Sequence, residues 1–217
     1  RNSSGLTSLS IPNTVKTIGD GAFYRTSSLT SLTFDSGSVL ETIGSISFSF
    51  SAIKSITFPK TLKTISSGAC QNNHSLTSIT FESGSELKTI GGWAFDGCCI
   101  KGDITLPEGL TTIGLYAFAS NEDYETPSNS LTSVTIPSSV TSIGHGTFYA
   151  CHRLKTATIK AVTPPDFVPG TGSDEWIFHY GPLVSCDLEH VYVPADSVDR
   201  YKSARGFQNV KDIISAI

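Results

Sequence analysis

No apolar run in this chain approaches the ~20 residues that a membrane-crossing helix requires, and no secretory signal pattern opens it. Charge is scarce. Only 16% of the 217 residues are Asp, Glu, Lys or Arg, and the net charge is −4. The Lys and Arg residues are scattered rather than clustered, which excludes the basic patch that a nucleic-acid partner needs. Motifs that carry chemistry are missing as well. The five histidines, His74, His145, His152, His179 and His190, show no HxxxH spacing, and the five cysteines form no CxxC pair. Glu122 and Asp123 lack the alternating acidic pattern of a calcium loop. No P-loop and no GxSxG occurs. The expectation is a chain that is not an enzyme and carries neither metal nor cofactor.

What the sequence holds in abundance is repetition. Serine and threonine make up about a quarter of the chain, a composition that suits disorder unless apolar residues recur in phase. They do. In Leu76–Ile100, LTSITFESGSELKTIGGWAFDGCCI, Ser78–Phe81 alternates as a half-buried strand. SGSE then supplies a turn, and Leu87 with Ile90 forms a second short apolar pair. Gly91 ends the extended run, and a single helical or 3₁₀ turn through Ala94 is expected to point Phe95 inward.

Three columns repeat this plan. The isoleucine before the glycine step falls at Ile18, Ile43, Ile65, Ile90, Ile113 and Ile143, with spacings of 25, 22, 25, 23 and 30. The aromatic column reads Phe23, Phe48, Cys70, Phe95, Phe118 and Phe148, and the leading residues are Leu6, Leu29, Ile53, Leu76, Ile100, Leu131 and Leu154. In-phase columns of this period specify a solenoid whose copies fold only by stacking. The reading is a single domain over residues 1–217, with regular repeats over 6–160 and an irregular last repeat and cap over 161–217. The short copies place a proline after the strand (Pro12, Pro59, Pro107, Pro137), where no ladder N–H is needed.

Residues 121–130, NEDYETPSNS, read as an inserted surface loop. Trp176, Phe178 and Tyr180 are expected to wrap the end of the core. Val198, Tyr201 and Ala204 share one face of a short terminal helix, with Asp196 or Ser197 as its N-cap. Together with Ile213–Ile217 that helix should close the open edge of the stack. The opening RNSSGLTSL matches RTSSLTSL at Arg25–Leu32, so the chain is expected to begin inside a coil of a longer protein. An export signal and further repeats are expected in the part that precedes it. Cys98 and Cys151, two coils apart at ~4.8 Å per coil, lie too far apart to bridge; Cys151 with Cys186 stays open as either a disulfide or two thiols.

The phrases LTSLSIPNTVKTIGDGAF (Leu6–Phe23) and LTSVTIPSSVTSIGHGTF (Leu131–Phe148) resemble the BspA-like leucine-rich repeat proteins, and VYVPADSVDRYKSARGF (Val191–Phe207) resembles the closing segment of bacterial members. The resemblance implies a leucine-rich repeat solenoid: a right-handed superhelix of short parallel β-strands with 3₁₀ or short helical turns, about 7–8 rungs and a short C-terminal capping helix. It also implies an exported or surface-attached bacterial protein that binds extracellular proteins in adhesion. The family offers no shared catalytic motif, and Cys70 departs from its phenylalanine column.

For binding, the outward strand pairs run Ser8/Ser10, Ser31/Thr33, Ser55/Thr57, Ser78/Thr80, Asp103/Thr105, Ser133/Thr135, Thr156/Thr158 and His190/Tyr192. Asp103, His190 and Tyr192 interrupt a uniform hydroxyl face and are candidate partner-binding residues. Tyr116 is a fourth, from the column Gly21, Ile46, Gly68, Trp93, Tyr116 and Gly146. Ile46 and Trp93 are expected to pack beneath the longer SGS loops, leaving Tyr116 more exposed than Trp93. Two other functions stay open: a glycan-binding module using Tyr116, Tyr192 or the Trp176–Tyr180 segment, and a passive spacer displaying another domain.

Overall fold

The computed structural model describes residues 3, 5–120, 130–168, 183 and 186–217. The expected loop at 121–129 and the aromatic segment Trp176–Tyr180 lie outside the described residues. Each coil contributes a longer strand, of four residues in most coils, and, after a turn, a shorter one of two or three, because alternating Ser/Thr and apolar residues give way to a brief step, Thr-Ile in most coils, whose isoleucine is buried. The first kind are β1 (Ser8–Ile11), β3 (Ser31–Phe34), β5 (Ser55–Phe58), β7 (Ser78–Phe81), β9 (Lys101–Thr105), β11 (Ser130–Ile136), β13 (Thr156–Ile159) and β15 (His190–Val193). The second kind are β2 (Thr17–Ile18), β4 (Thr42–Ile43), β6 (Thr64–Ile65), β8 (Thr89–Ile90), β10 (Thr112–Ile113), β12 (Ser142–Gly144) and β14 (Asp166–Val168). The last strand is β16 (Ile214–Ala216).

All pairings are parallel. The short strands form one sheet of seven in the order β14-β12-β10-β8-β6-β4-β2, and the longer ones pair as β1-β3, β5-β7 and β9-β11-β13-β15-β16. The result is a parallel solenoid of about eight turns with little helix. Its register is the one that the columns require. Ile18 pairs with Ile43, Ile43 with Ile65, Ile65 with Ile90, Ile90 with Ile113 and Ile113 with Ile143. The glycine after the isoleucine is there for clearance: a Cβ on Gly114 or Gly144 would sit 2.2 Å from a backbone nitrogen of the preceding coil.

The interior is continuous. Phe48, Phe95, Phe118 and Phe148 are fully buried, and Phe23 is half-buried at the first coil. Their rings stack coil upon coil, Phe23 on Phe48 at 5.3 Å, Phe95 on Phe118 at 5.3 Å and Phe118 on Phe148 at 5.4 Å. Cys70 breaks the series. Phe58, 1% exposed, turns its edge to Phe95 at 6.0 Å and supplies volume from the same coil. Its neighbours in register along that strand column, Phe34 and Phe81, remain half-buried.

The turn that carries the phenylalanine differs from a simple helical turn. Ala22, Tyr24 and Thr26 donate to the carbonyls three residues back, but the intervening amides of Gly21, Phe23 and Arg25 donate to Ser45, Ser47 and Ser49 of the next coil at 2.8–2.9 Å. The pattern repeats through Ile46, Phe48 and Phe50, which donate to Ser67, Ala69 and Gln71. Positive φ at every fourth residue makes this possible by aiming alternate amides along the stack. The turns are therefore a third hydrogen-bonded ladder beside the two of strands.

At the C-terminal end, β16 pairs with β15, and α1 (Val198–Ser203) lays the buried Tyr201 on the core, its hydroxyl donating to the Ala161 carbonyl at 2.8 Å. Ser197 holds the N-cap position but makes no side-chain cap bond. It donates instead to the Val162 carbonyl at 2.7 Å, because the carbonyl of the preceding coil lies closer to hand than the helix amides. All five cysteines are thiols. Cys151 donates its thiol to the Phe118 carbonyl at 3.3 Å and Cys186 to the Phe148 carbonyl at 3.0 Å, and the neighbouring Cys186 thiol together with burial pushes the Cys151 thiol well up. Burial alone pushes the Cys70 thiol up to about 12.

Candidate binding surface

Two faces of the solenoid present side chains to solvent in long columns. The first is the outer face of the longer strands. The hydroxyl pairs line up in the register read from the sequence, with Ser55 beside Ser78, Thr57 beside Thr80, Ser133 beside Thr156 and Thr135 beside Thr158. Some of these hydroxyls are already engaged with a neighbouring coil. Thr57 and Thr80 are hydrogen-bonded at 2.9 Å, and Ser10 donates to Asp35 at 2.6 Å.

Asp103 belongs to this internal bonding. Its Oδ1 accepts from Thr132 and from Ser133, both at 2.7 Å, across the irregularity in register between Leu131 and Ser133. The Thr132 and Ser133 hydroxyls hold its carboxyl below the usual aspartate value. Asp103 thus pins a bulge. His190 and Tyr192, three strands further along, do come together, their rings stacked at 5.5 Å at the end of the face. Tyr116 stands elsewhere, on the turn side.

That turn side is the second face, and the sequence reading missed its character. The column Gly21, Ile46, Gly68, Trp93, Tyr116 and Gly146 has φ between 48° and 63° throughout. So do Arg25, Phe50, Asn72 and Ala150, four residues further on, at 55–57°. In this left-handed region a side chain costs about 1–2 kcal/mol that glycine does not. Yet Ile46 is 40% exposed, Phe50 38% and Trp93 41%. The longer SGS loop therefore does not cover Ile46 or Trp93, contrary to the expectation, because the left-handed backbone turns each side chain outward.

The expected order of Trp93 and Tyr116 is also reversed. Trp93 is the exposed one and Tyr116 is half-buried. Trp93 stacks on Tyr116 at 6.1 Å with planes 13° apart. Tyr116 in turn leans over Gly146, whose missing Cβ leaves room for the ring, and meets His145 and Tyr149 edge-on at 5.1 and 5.8 Å. Its hydroxyl is 2.8 Å from His145 Nε2. The outcome is an exposed indole held flat by a fixed tyrosine. A signal for this face existed in the sequence: three of six residues in that column are glycine, which marks a left-handed position.

A family profile described as "BspA type Leucine rich repeat region (6 copies)" matches residues 1–125 and 123–164. The chain belongs to the BspA-type leucine-rich repeat family. Among solved structures, the pneumococcal vaccine antigen PcpA is 16% identical, with 97% of this chain and 77% of that one covered at a TM-score of 0.47. A leucine-rich repeat protein from Bacteroides ovatus is 18% identical over 88% of this chain and 56% of that one, TM-score 0.42. A leucine rich cell surface protein from Faecalibacterium prausnitzii is 17% identical over 97% and 79%, TM-score 0.42. No curated protein matches. Among the described residues no helix is long and apolar enough to cross a membrane, and no group of three His, Cys, Asp or Glu is placed to hold a metal ion.

Proposed function

We propose that this chain is a non-enzymatic binding module, secreted or displayed on a bacterial surface, that holds an extracellular protein and so serves adhesion. The observation that supports this best is the Trp93–Tyr116 pair. Tryptophan and tyrosine are the side chains that most often carry protein–protein affinity. Here they are fixed in orientation before any partner arrives, which lowers the entropy lost on docking. Glycine occupies the same position in three other coils, so the position does not require an aromatic for folding.

The test is a panel of immobilised host-matrix and microbial surface proteins against the folded module, followed by two variants. Trp93→Gly with Tyr116→Gly is expected to weaken the binding seen by tenfold or more. His190→Ala with Tyr192→Ala, on the strand face, is expected to leave it unchanged. Saturable binding that survives the first variant and fails in the second would move the contact to the strand face. No binding anywhere on a broad panel would favour the spacer role.

A further inference from the structure

The first three coils carry a second feature on the turn side that protein binding at Trp93 does not use. Arg25, Phe50 and Asn72 succeed one another in the same left-handed position, with φ of 55°, 57° and 57°. In later coils that position holds Gly97 and Ala150. The large and polar side chains at this position are confined to the coils that line a groove of about 610 Å³, together with Ser27, His74 and Ser75. The volume lies within the range of small-ligand sites.

Arg25 is the one Arg or Lys side chain in the groove lining. Its guanidinium carbon lies 5.3 Å from the centroids of both the Tyr24 and the Phe50 rings, and those rings meet each other edge-on at 6.0 Å. Two aromatic rings thus hold the cation, an arrangement that fixes its donors without neutralising them. None of the ion pairs among the described residues involves Arg25; they join Lys63 to Glu41, Lys155 to Glu189 and Lys160 to Glu108. No acidic residue lines the groove. Asp96, outside that lining, is occupied elsewhere, its carboxylate accepting from Gln71 Nε2 at 2.9 Å.

We propose that this groove binds an acidic carbohydrate, with the Arg25 guanidinium taking a sugar carboxylate. A guanidinium fork matches a carboxylate in two parallel bonds. Ser27, Ser75 and Asn72 supply the small donors and acceptors that ring hydroxyls need, and Phe50 offers an exposed ring for the C–H face of a sugar. An extended acidic peptide fits less well, because it would seek open backbone groups. The amides here are already spent between coils, Arg25 to Ser49, Phe50 to Gln71 and Asn72 to Asp96, at 2.8–2.9 Å.

The probe is a hexamer of galacturonic acid, titrated into the folded protein by calorimetry and by amide-shift NMR. Its methyl ester and hexaglutamate serve as comparators. Arg25→Asn and Phe50→Asn place at both positions the residue that Asn72 shows to be accepted there, so the fold is kept, and unchanged thermal unfolding checks this. The galacturonate hexamer is expected to bind and to shift amides of Arg25, Phe50 and Asn72. Either variant, or esterification of the ligand, is expected to weaken binding at least tenfold, and Trp93→Gly should leave it unchanged. Absence of binding by the galacturonate hexamer, indifference to Arg25→Asn, or hexaglutamate binding as tightly as the sugar would each overturn the proposal. The Trp93 variant separates this site from the protein-binding reading.

Discussion

If the left-handed column is strained, a substitution that is usually the worst should there be the mildest. Ile43 and Ile46 lie three residues apart. Ile43 is fully buried in the isoleucine column, whereas Ile46 is 40% exposed with φ of 48°. Ile43→Gly should cost about 2–5 kcal/mol for the lost side chain and cavity, plus about 0.5–1 kcal/mol for added chain freedom. Ile46→Gly loses the buried three-fifths of its side chain, about 1–2 kcal/mol, and the same chain-freedom term. Against this it recovers about 1–2 kcal/mol of left-handed strain. The net is a loss near 1 kcal/mol, or roughly 2–4 °C in Tm for a domain of this size.

A sign reversal sharpens the case. Ile46→Ala keeps a Cβ in the left-handed region while losing the same contacts, so it should be less stable than Ile46→Gly by about 1 kcal/mol, the opposite of the usual order. Urea unfolding followed by circular dichroism, with thermal scans in parallel, measures all three. Ile46→Gly as costly as Ile43→Gly, or Ile46→Ala more stable than Ile46→Gly, would refute the strain argument and with it the reason for singling out this face.

Asp103 ties stability to pH. Hydrogen bonds lower its folded value below the ordinary 3.8, so the stabilisation is present above 3.8 and lost as pH falls through the folded value; the Tm gap between the wild type and Asp103→Asn should be full at pH 6 and vanish in acid. A gap independent of pH would remove the carboxylate from that role. Cys70→Phe should lose about 1–3 kcal/mol by overpacking against Phe58, and Phe58→Ile added to it should restore Tm; two additive losses would show that Phe58 does not fill the space beside Cys70. Oxidised glutathione should join Cys151 to Cys186 with release of two molecules of reduced glutathione, slowly and faster at higher pH because the Cys151 thiol is raised. Peptide mapping that finds any other pair, or none, would contradict the contact.

The columns were legible because stacking imposes them. An isoleucine that faces its own kind in every coil, from Ile18 to Ile143, must recur in phase or the short parallel sheet fails. The outward pairs followed from strict alternation, and the register from Ser55–Ser78 to Thr158–Tyr192 agrees with it. Exposure on the turn side was not legible from periodicity. Whether Trp93 or Tyr116 faces water depends on backbone sign and on which neighbour offers a gap, here Gly146. Three glycines in one column carried the missing information about backbone sign. The grouping of Tyr24, Arg25 and Phe50 needed a further step, since residues one coil apart meet only once the turns are known to be in ladder register.

That difference says where recognition is free to reside. On the strand face, side chains are partly committed to their neighbours, as with Thr57 and Thr80 or Asp103 and Ser133. Changing them disturbs the stack that they help to hold. On the turn face the backbone is bonded from coil to coil whatever side chain is present, since Gly21, Ile46, Gly68 and Trp93 make the same kind of bond to the next coil. Identity there is released from folding and limited only by the strain of a left-handed Cβ. Glycine avoids that strain, and a larger side chain there has to recover it by packing, as Ile46 does through its buried three-fifths. Tryptophan, tyrosine, phenylalanine and arginine at these positions are therefore tolerated by the coil-to-coil ladder rather than demanded by it, which is why the proposed contacts with a partner are placed on this face.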